Sequence, residues 1–246
     1  MATVAHLWRH PIKAHGREAL EMVALSEGET LPWDRHWAVA HEAAKTTGSE
    51  WAHCANFSRG SKAPGLMEIS AKLDEATARV TLSHADREPL EFAPNDSPVE
   101  FFDWVRPLMP EGRAASARIV KGPRGMTDSD FPSISVMNIA THRAVEAQVG
   151  TTLAKRRWRG NIWLDGPTAW EEFDWIGRTL RIGTAELEVR ELITRCMATT
   201  ANPDTGVRDA DILGALDRGW GHQDFGIYAV VTHSGNVKIG DSADLL

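Results

Sequence analysis

The chain has little sulfur chemistry to draw on: among its 246 residues only Cys54 and Cys196 are cysteines. A disulfide framework is not expected from two thiols in a chain of this size. A four-cysteine zinc site or an all-cysteine iron–sulfur cluster cannot be assembled within one such chain. Any all-cysteine cluster feeding electrons to this protein must sit on another. Long apolar runs are also missing, and no segment reads as a bilayer-crossing helix. The opening MATVAHLWRHPIK alternates like a strand and lacks the apolar centre of a signal peptide. A cytoplasmic address with no membrane partner is therefore expected. Positive charge is in deficit, with 27 Lys and Arg against 34 Asp and Glu and a net charge of -7, which argues against nucleic acid as the main partner. The GxSxG, Walker and GxGxxG signatures are absent, so serine-hydrolase and nucleotide-binding readings have no support.

What is present is short-period alternation. Residues 4–8, 19–25, 37–40, 66–73 and 78–83 are predicted strands, mostly separated by Gly, Pro, Asp or Asn. Residues 98–109 (PVEFFDWVRPLM) read as helical in their first part, with Pro107 ending the helix. Residues 113–131, rich in Gly, Pro, Ser and Arg, read as a loop-rich connection between two lobes. Thr141 is the expected cap of a helix that stops at Gly150. In TLRIGTAELEVREL, Leu180 and Ile182 alternate with Arg181, and Leu187 and Val189 with Glu186, Glu188 and Arg190, the pattern of a hairpin with one wet face. A short helix over 209–218 and a closing hairpin, 225–231 with 236–239 around Ser234-Gly235, complete the reading. Many short strands and few long helices predict a mainly β, barrel-like architecture with helices packed outside, α+β overall.

Cys196 lies just after the long alternating strand, in ITRCMATTANPDTG. A single cysteine is most often a small buried hydrophobe. Here Arg195 adjoins it, and a nearby cation favours thiolate. Thr194, Thr199, Thr200, Asn202 and Asp204 make the segment unusually polar for a cysteine buried only for packing.

The stretch TRCMATTANPDTGVRD resembles the cysteine segment of the MOSC family, the C-terminal domain of molybdenum-cofactor sulfurases, and is similar to amidoxime-reducing relatives. RWRGNIWLDG at 157–166, DWIGRTLRIG at 174–183, and FGIYAVV followed by VKIGD resemble further segments of that family in the same order. LWRHPIKAHGREAL and LPWDRHWAV resemble its associated N-terminal β-barrel domain. The resemblance spans nearly the whole chain and is weakest over 50–130. It implies an N-terminal β-barrel-like domain over 1–112 and a MOSC domain over 113–246. It also implies a pyranopterin molybdenum cofactor with the thiolate of Cys196 as metal ligand and catalytic centre.

By position in the matching motifs, Lys13, Arg35, Arg159, Asn161, Thr194, Arg195 and Tyr228 would approach that cofactor. Each has a plainer reading. Lys13 alone is a solvated turn lysine, and Arg35 beside Asp34 is a structural ion pair. Arg159 belongs to the basic run Lys155, Arg156, Arg157, Arg159 of a solvated face, Asn161 is a turn residue, and Tyr228 is a core tyrosine. Three positions depart from the pattern: Ala14 stands where a serine donor is common, Gly160 where proline is usual, and His10 where relatives carry an aromatic residue. His53-Cys54, with His41, has no recognised metal-ligand spacing and reads as structural. The implied activity is reduction of N-hydroxylated small molecules with electrons from an external donor, a ferredoxin-like protein or a flavin reductase. Two alternatives stand beside it: sulfur or cofactor carriage on Cys196, and a retired scaffold that binds a partner.

Overall fold

In strands from both ends of the chain, one residue in two is apolar and buried, which is what a sheet curled around a single core requires. The computed structural model describes residues 2–96 and 99–246. It begins with β1 (Ala2–Arg9), β2 (Glu18–Leu20), β3 (Met22–Leu25) and β4 (Trp37–His41). These are followed by β5 (Ser70–Asp74), β6 (Arg79–His84), β7 (Arg87–Phe92), α1 (Val99–Val105) and β8 (Ser116–Lys121). The second half runs β9 (Ile134–Asn138), α2 (Ile139–Val149), β10 (Ile162–Asp165), β11 (Thr179–Ile182), β12 (Ala185–Thr194), α3 (Ile212–Trp220), β13 (Asp224–His233), β14 (Gly235–Lys238) and β15 (Ser242–Leu245).

Seven strands close into a barrel in the order β10-β9-β13-β12-β11-β15-β1, with β1 pairing back onto β10 and β2 added at its edge. Ile134 and Val136, Ile162 and Leu164, Leu187 and Val189, and Ile227, Ala229 and Val231 fill the interior. Met137 and Trp163, which alternate with the interior residues, and Phe225, before the left-handed Gly226, pack outward under α2 and α3 with Val145, Ile212 and Leu216. The expected mainly β barrel with external helices is what the chain forms. Because β1 precedes the second half by more than a hundred residues, strands from both sides of the 112/113 division share the large sheet. A second core, built from Trp37, Val39, Leu66, Val80, Leu82, Phe92 and Phe101, sits under the three-stranded sheet β5-β6-β7 and the β4–β8 pair. Among the described residues no helix is long and apolar enough to cross a membrane.

Several sequence expectations are corrected. The strand over 19–25 is two strands, because the chain bends at Glu21, β2 staying on β1 and β3 leaving to pair with β14. The strand over 66–73 begins only at Ser70, since Pro64 starts a 3-10 turn, Pro64–Met67, that buries Leu66 and Met67. The loop over 113–131 contains β8, whose partner β4 lies some eighty residues earlier and leaves no local signal. The segment 98–109 is, by contrast, helical in its first part as expected: α1 stops at Val105 and a 3-10 turn over Arg106–Leu108 takes in Pro107; Pro98 lies outside the described residues.

Asn138, not Thr141, caps α2, its side chain accepting from Ala140 N–H; Gly150 ends the helix in the left-handed region as expected. Thr141 instead donates at 2.9 Å to Glu172, a buried carboxylate that also accepts from Asn138 at 2.7 Å. The helix over 209–218 runs Ile212–Trp220, capped by Asp211. The closing hairpin does not form. Gly235 passes so close to the backbone of Thr184 that a Cβ would sit 2.4 Å from it, and β14 turns away from β13 to pair with β3.

Candidate functional site

Cys196 stands where β12 runs out of the barrel and a 3-10 turn, Met197–Thr200, begins. Thr199 closes that turn by donating its hydroxyl and its N–H to the Cys196 carbonyl at 3.0 and 3.1 Å. The thiol itself has no hydrogen-bond partner among the described residues and is exposed. It opens onto a cavity of about 250 Å³ whose walls come from both lobes.

Six of the seven other residues singled out in the sequence line this cavity: Lys13, Arg35, Arg159, Thr194, Arg195 and Tyr228. Lys13 is not a solvated turn residue. It is 4% exposed, and its ammonium donates to the Met126 carbonyl and to Asp128, both at 2.6 Å. Arg35 is ion-paired with Asp34, as the plainer reading had it, and it also donates to the Arg159 carbonyl at 3.0 Å from the cavity wall. Behind it, Asp34 accepts from His10 N–H at 2.8 Å and faces His10 Nδ1 at 3.1 Å, so His10 serves as a brace for the buried carboxylate. Burial, with Arg159 and Arg35 nearby, pushes the His10 imidazole down to about 3 and keeps it neutral.

The basic run over 155–159 is not a solvated face. Arg157 is 2% exposed and donates to the Thr199 carbonyl at 3.0 Å, while Arg159 turns back through a left-handed backbone into the cavity. Arg159 Nη2 reaches the Gly16 carbonyl at 3.3 Å, and its Nη1 is buried with no partner. Burial lowers its pKa to about 9, with Arg35 and Arg17 pushing in the same direction and Asp34 and Asp128 opposing them, so it stays charged at neutral pH. Arg157 Nε is likewise buried without a partner.

Arg195 is pinned by the Phe225 and Trp158 carbonyls and stacks over both rings, with Cζ 5.4 Å from Trp158 and 5.5 Å from Phe225. Trp158 and Phe225 in turn stack at 3.7 Å. Thr194 donates to Asp224 at 2.6 Å, which fixes the strand end before Cys196. Tyr228 is half-buried rather than a closed core residue; its phenol is pushed above its ordinary range by burial first and Asp128 second. Asn161 does not line the cavity. It is 1% exposed and accepts from the Ser135 N–H and hydroxyl at 3.1 and 2.7 Å, holding a wall residue from behind.

Sequence reasoning missed Asp128, Arg157, Arg59 and Cys54 as wall residues. Cys54 offers a signal in retrospect: it is the one other thiol, and Arg59, five residues on, donates to its sulfur at 3.0 Å. Among the described residues no three His, Cys, Asp or Glu side chains group as a metal site, and His41 instead bonds the Ala55 carbonyl at 2.8 Å. Two arginines stitch the lobes together around Cys196. Arg17 spans from Met67 to the Pro203 carbonyl, and Arg208 from the Thr200 hydroxyl to the Ser61 carbonyl.

Gly160 has a reason of its own. A Cβ there would lie 2.3 Å from Met137 Cγ, and the Met137 sulfur accepts from Arg195 Nη2 at 3.1 Å. Gly160→Ala is expected to cost about 1–3 kcal/mol by overpacking. It should lower the melting temperature and loosen Arg195; unchanged thermal melts would contradict this contact.

A closed β-barrel thus carries an exposed cysteine above a cavity lined by Lys13, Arg35, Arg59, Arg157, Arg159 and Arg195. The chain belongs to the MOSC family, a family associated with the molybdenum cofactor: the MOSC domain model matches residues 125–244 and the MOSC N-terminal beta barrel domain model residues 1–118. It is 22% identical to mitochondrial amidoxime-reducing component 1 of Mus musculus, over all of this chain and 83% of that protein. Among solved structures it is similar to the YuaD protein from Bacillus subtilis, with 13% identity, a TM-score of 0.48, and 100% and 96% of the two chains covered. It is also similar to YiiM from Geobacillus stearothermophilus, with 20% identity, a TM-score of 0.35, and 46% and 53% covered.

Proposed function

We propose that this protein binds the molybdenum cofactor through Cys196 and reduces N-hydroxylated small molecules such as amidoximes, hydroxylamines or hydroxamic acids. The observation that carries the reading is the pairing on one cavity of a thiol, Cys196, and a buried guanidinium nitrogen, Arg159 Nη1, neither of which has a partner among the described residues. A soft thiolate suits a molybdenum centre. A pterin phosphate offers the acceptors that Arg159 Nη1 and Arg157 Nε lack. Arg35 and Lys13 would border that phosphate, Ala14 adds no side-chain donor, and Arg195 and Thr194 hold the loop that presents the thiol. Asn161 acts only through Ser135. The amidoxime-reducing activity named for the mouse relative supports the same reading.

When bound, the metal centre supplies two-electron reduction with acceptance of oxygen. For an amidoxime the balance is two electrons and two protons in, amidine and water out. The electrons come from an external donor, a ferredoxin-like protein or a flavin reductase, since this chain's two thiols form no cluster. The test is the holoprotein from a cofactor-competent host, given a reduced viologen and one member of each N–OH class. Turnover of at least one is expected; a cofactor-loaded protein inert towards all of them would overturn catalysis. The exposure of Cys196 favours a second reading, in which the thiol carries sulfur as a persulfide or hands on the cofactor. A sulfur adduct on Cys196 after treatment with a desulfurase, read by mass spectrometry, is the expected result of that alternative, and an unmodified thiol would remove it.

A further inference from the structure

Arg59 belongs to two cavities. Beyond the one that holds Cys196 lies a second, of about 180 Å³, lined by His41, Phe57, Lys62, Met109 and Arg113 along with Arg59 itself. No carboxylate among the described residues lies within ion-pair reach of Arg59, Lys62 or Arg113. In a chain whose acids outnumber its bases 34 to 27, three unpaired cations around one hollow are not an average surface. Arg59's side chain is held by the Cys54 sulfur at 3.0 Å, which leaves its other guanidinium N–H groups available. His41 donates from Nε2 to the Ala55 carbonyl, and its buried Nδ1 has no partner. Phe57, 2% exposed, and the half-buried Met109 give the same hollow an apolar wall.

From this we infer that the second cavity takes the oxyanion end of a small molecule whose other end reaches Cys196, so that the ligands of this protein are amphipathic anions. The inference rests on the reading of the first cavity as the reaction site. Arg59 lines both cavities, and its planar fork matches a carboxylate or phosphoryl group two bonds at a time. The apolar wall covers the aromatic or aliphatic body between the two ends, and Lys62 and Arg113 raise the local anion concentration at the outer rim. Selection would therefore act on charge at the far end of the molecule, not on the group being reduced.

The experiment uses the holoprotein and calorimetric binding of unreactive amides: benzamide, and benzamides carrying a para carboxylate or phosphonate on tethers of increasing length. Binding of the best anionic amide about tenfold tighter than benzamide is expected, the worth of one good charge-assisted contact. The Lys62→Glu/Arg113→Glu double variant should lose that preference while binding benzamide as before. Both side chains are exposed, so its thermal melt should match the parent. Whichever anion binds better identifies the oxyanion as carboxylate or phosphoryl. Equal binding of neutral and anionic amides, or a preference untouched by the charge reversal, overturns the proposal. Because binding is read without turnover, a protein that reduces benzamidoxime but ignores charge refutes this inference alone. A protein that reduces nothing yet keeps the charge preference refutes only the reductase reading.

Discussion

Cys196→Ala is expected to purify as a folded protein without molybdenum, and to lose reductase activity by at least about a hundredfold, the scale of removing a metal ligand. The thiol has no hydrogen bond to lose, and the residue's backbone, φ -120° and ψ 175°, is extended and open to any side chain. Thr199 holds the turn through the Cys196 carbonyl, which alanine keeps. Stability should therefore be unchanged while the soft donor disappears. Cys196→Ser, which offers a harder oxygen in the same place, should fail to restore the metal. Cys54→Ala is the internal control, since Cys54 lines the same cavity and should be dispensable for metal retention. Metal analysis beside thermal melts decides it, and near-stoichiometric molybdenum in Cys196→Ala would sink the assignment.

Asp34→Ala should cost about 3–5 kcal/mol of stability, the cost of leaving a buried charge without its partner. Asp34 is 1% exposed and carries both the Arg35 ion pair and the His10 N–H bond. Burial by itself would raise its carboxyl pKa, but the Arg35 guanidinium and the His10 contacts override it and hold the group well below the usual carboxylate range. The sign follows: with the folded value depressed, the contribution is fully present above the unfolded carboxylate value of about 4. It fades as pH falls towards the folded value. Melts of wild type and Asp34→Ala should therefore stand far apart at neutral pH and converge below about pH 4. Asp34→Asn, which can still accept from His10 N–H, should fall between them. A gap of constant width across that range would show that Asp34 acts by packing, not charge.

Features that depend only on neighbouring residues were legible in the sequence. The β11–β12 alternation depends only on neighbouring residues, so TLRIGTAELEVREL declared its hairpin and its wet face directly. Gly150 stopped its helix because a left-handed cap is a property of one residue.

Where pairing partners are distant in the chain, that reasoning ended. β8 looks like loop until β4 supplies its hydrogen bonds, and β14 looks like half a hairpin until β3 takes it. Lys13 and Asp128 stand 115 residues apart in sequence, so nothing near either one announces the other. The basic run 155–159 has the composition of a solvated face, yet the left-handed turn at Arg159 and the Thr199 carbonyl draw two of its arginines inward. Ordered motifs in the sequence thus determined the family and the barrel. Only closure of the barrel, which sets β1 against β10 and one lobe's cations against the other's thiol, decided which charges are buried, which are left unpaired, and that Cys54 and Arg59 share the wall with Cys196. The reason is physical: periodicity and turn chemistry act between neighbours, whereas desolvation and ion pairing depend on groups that only the folded chain brings together.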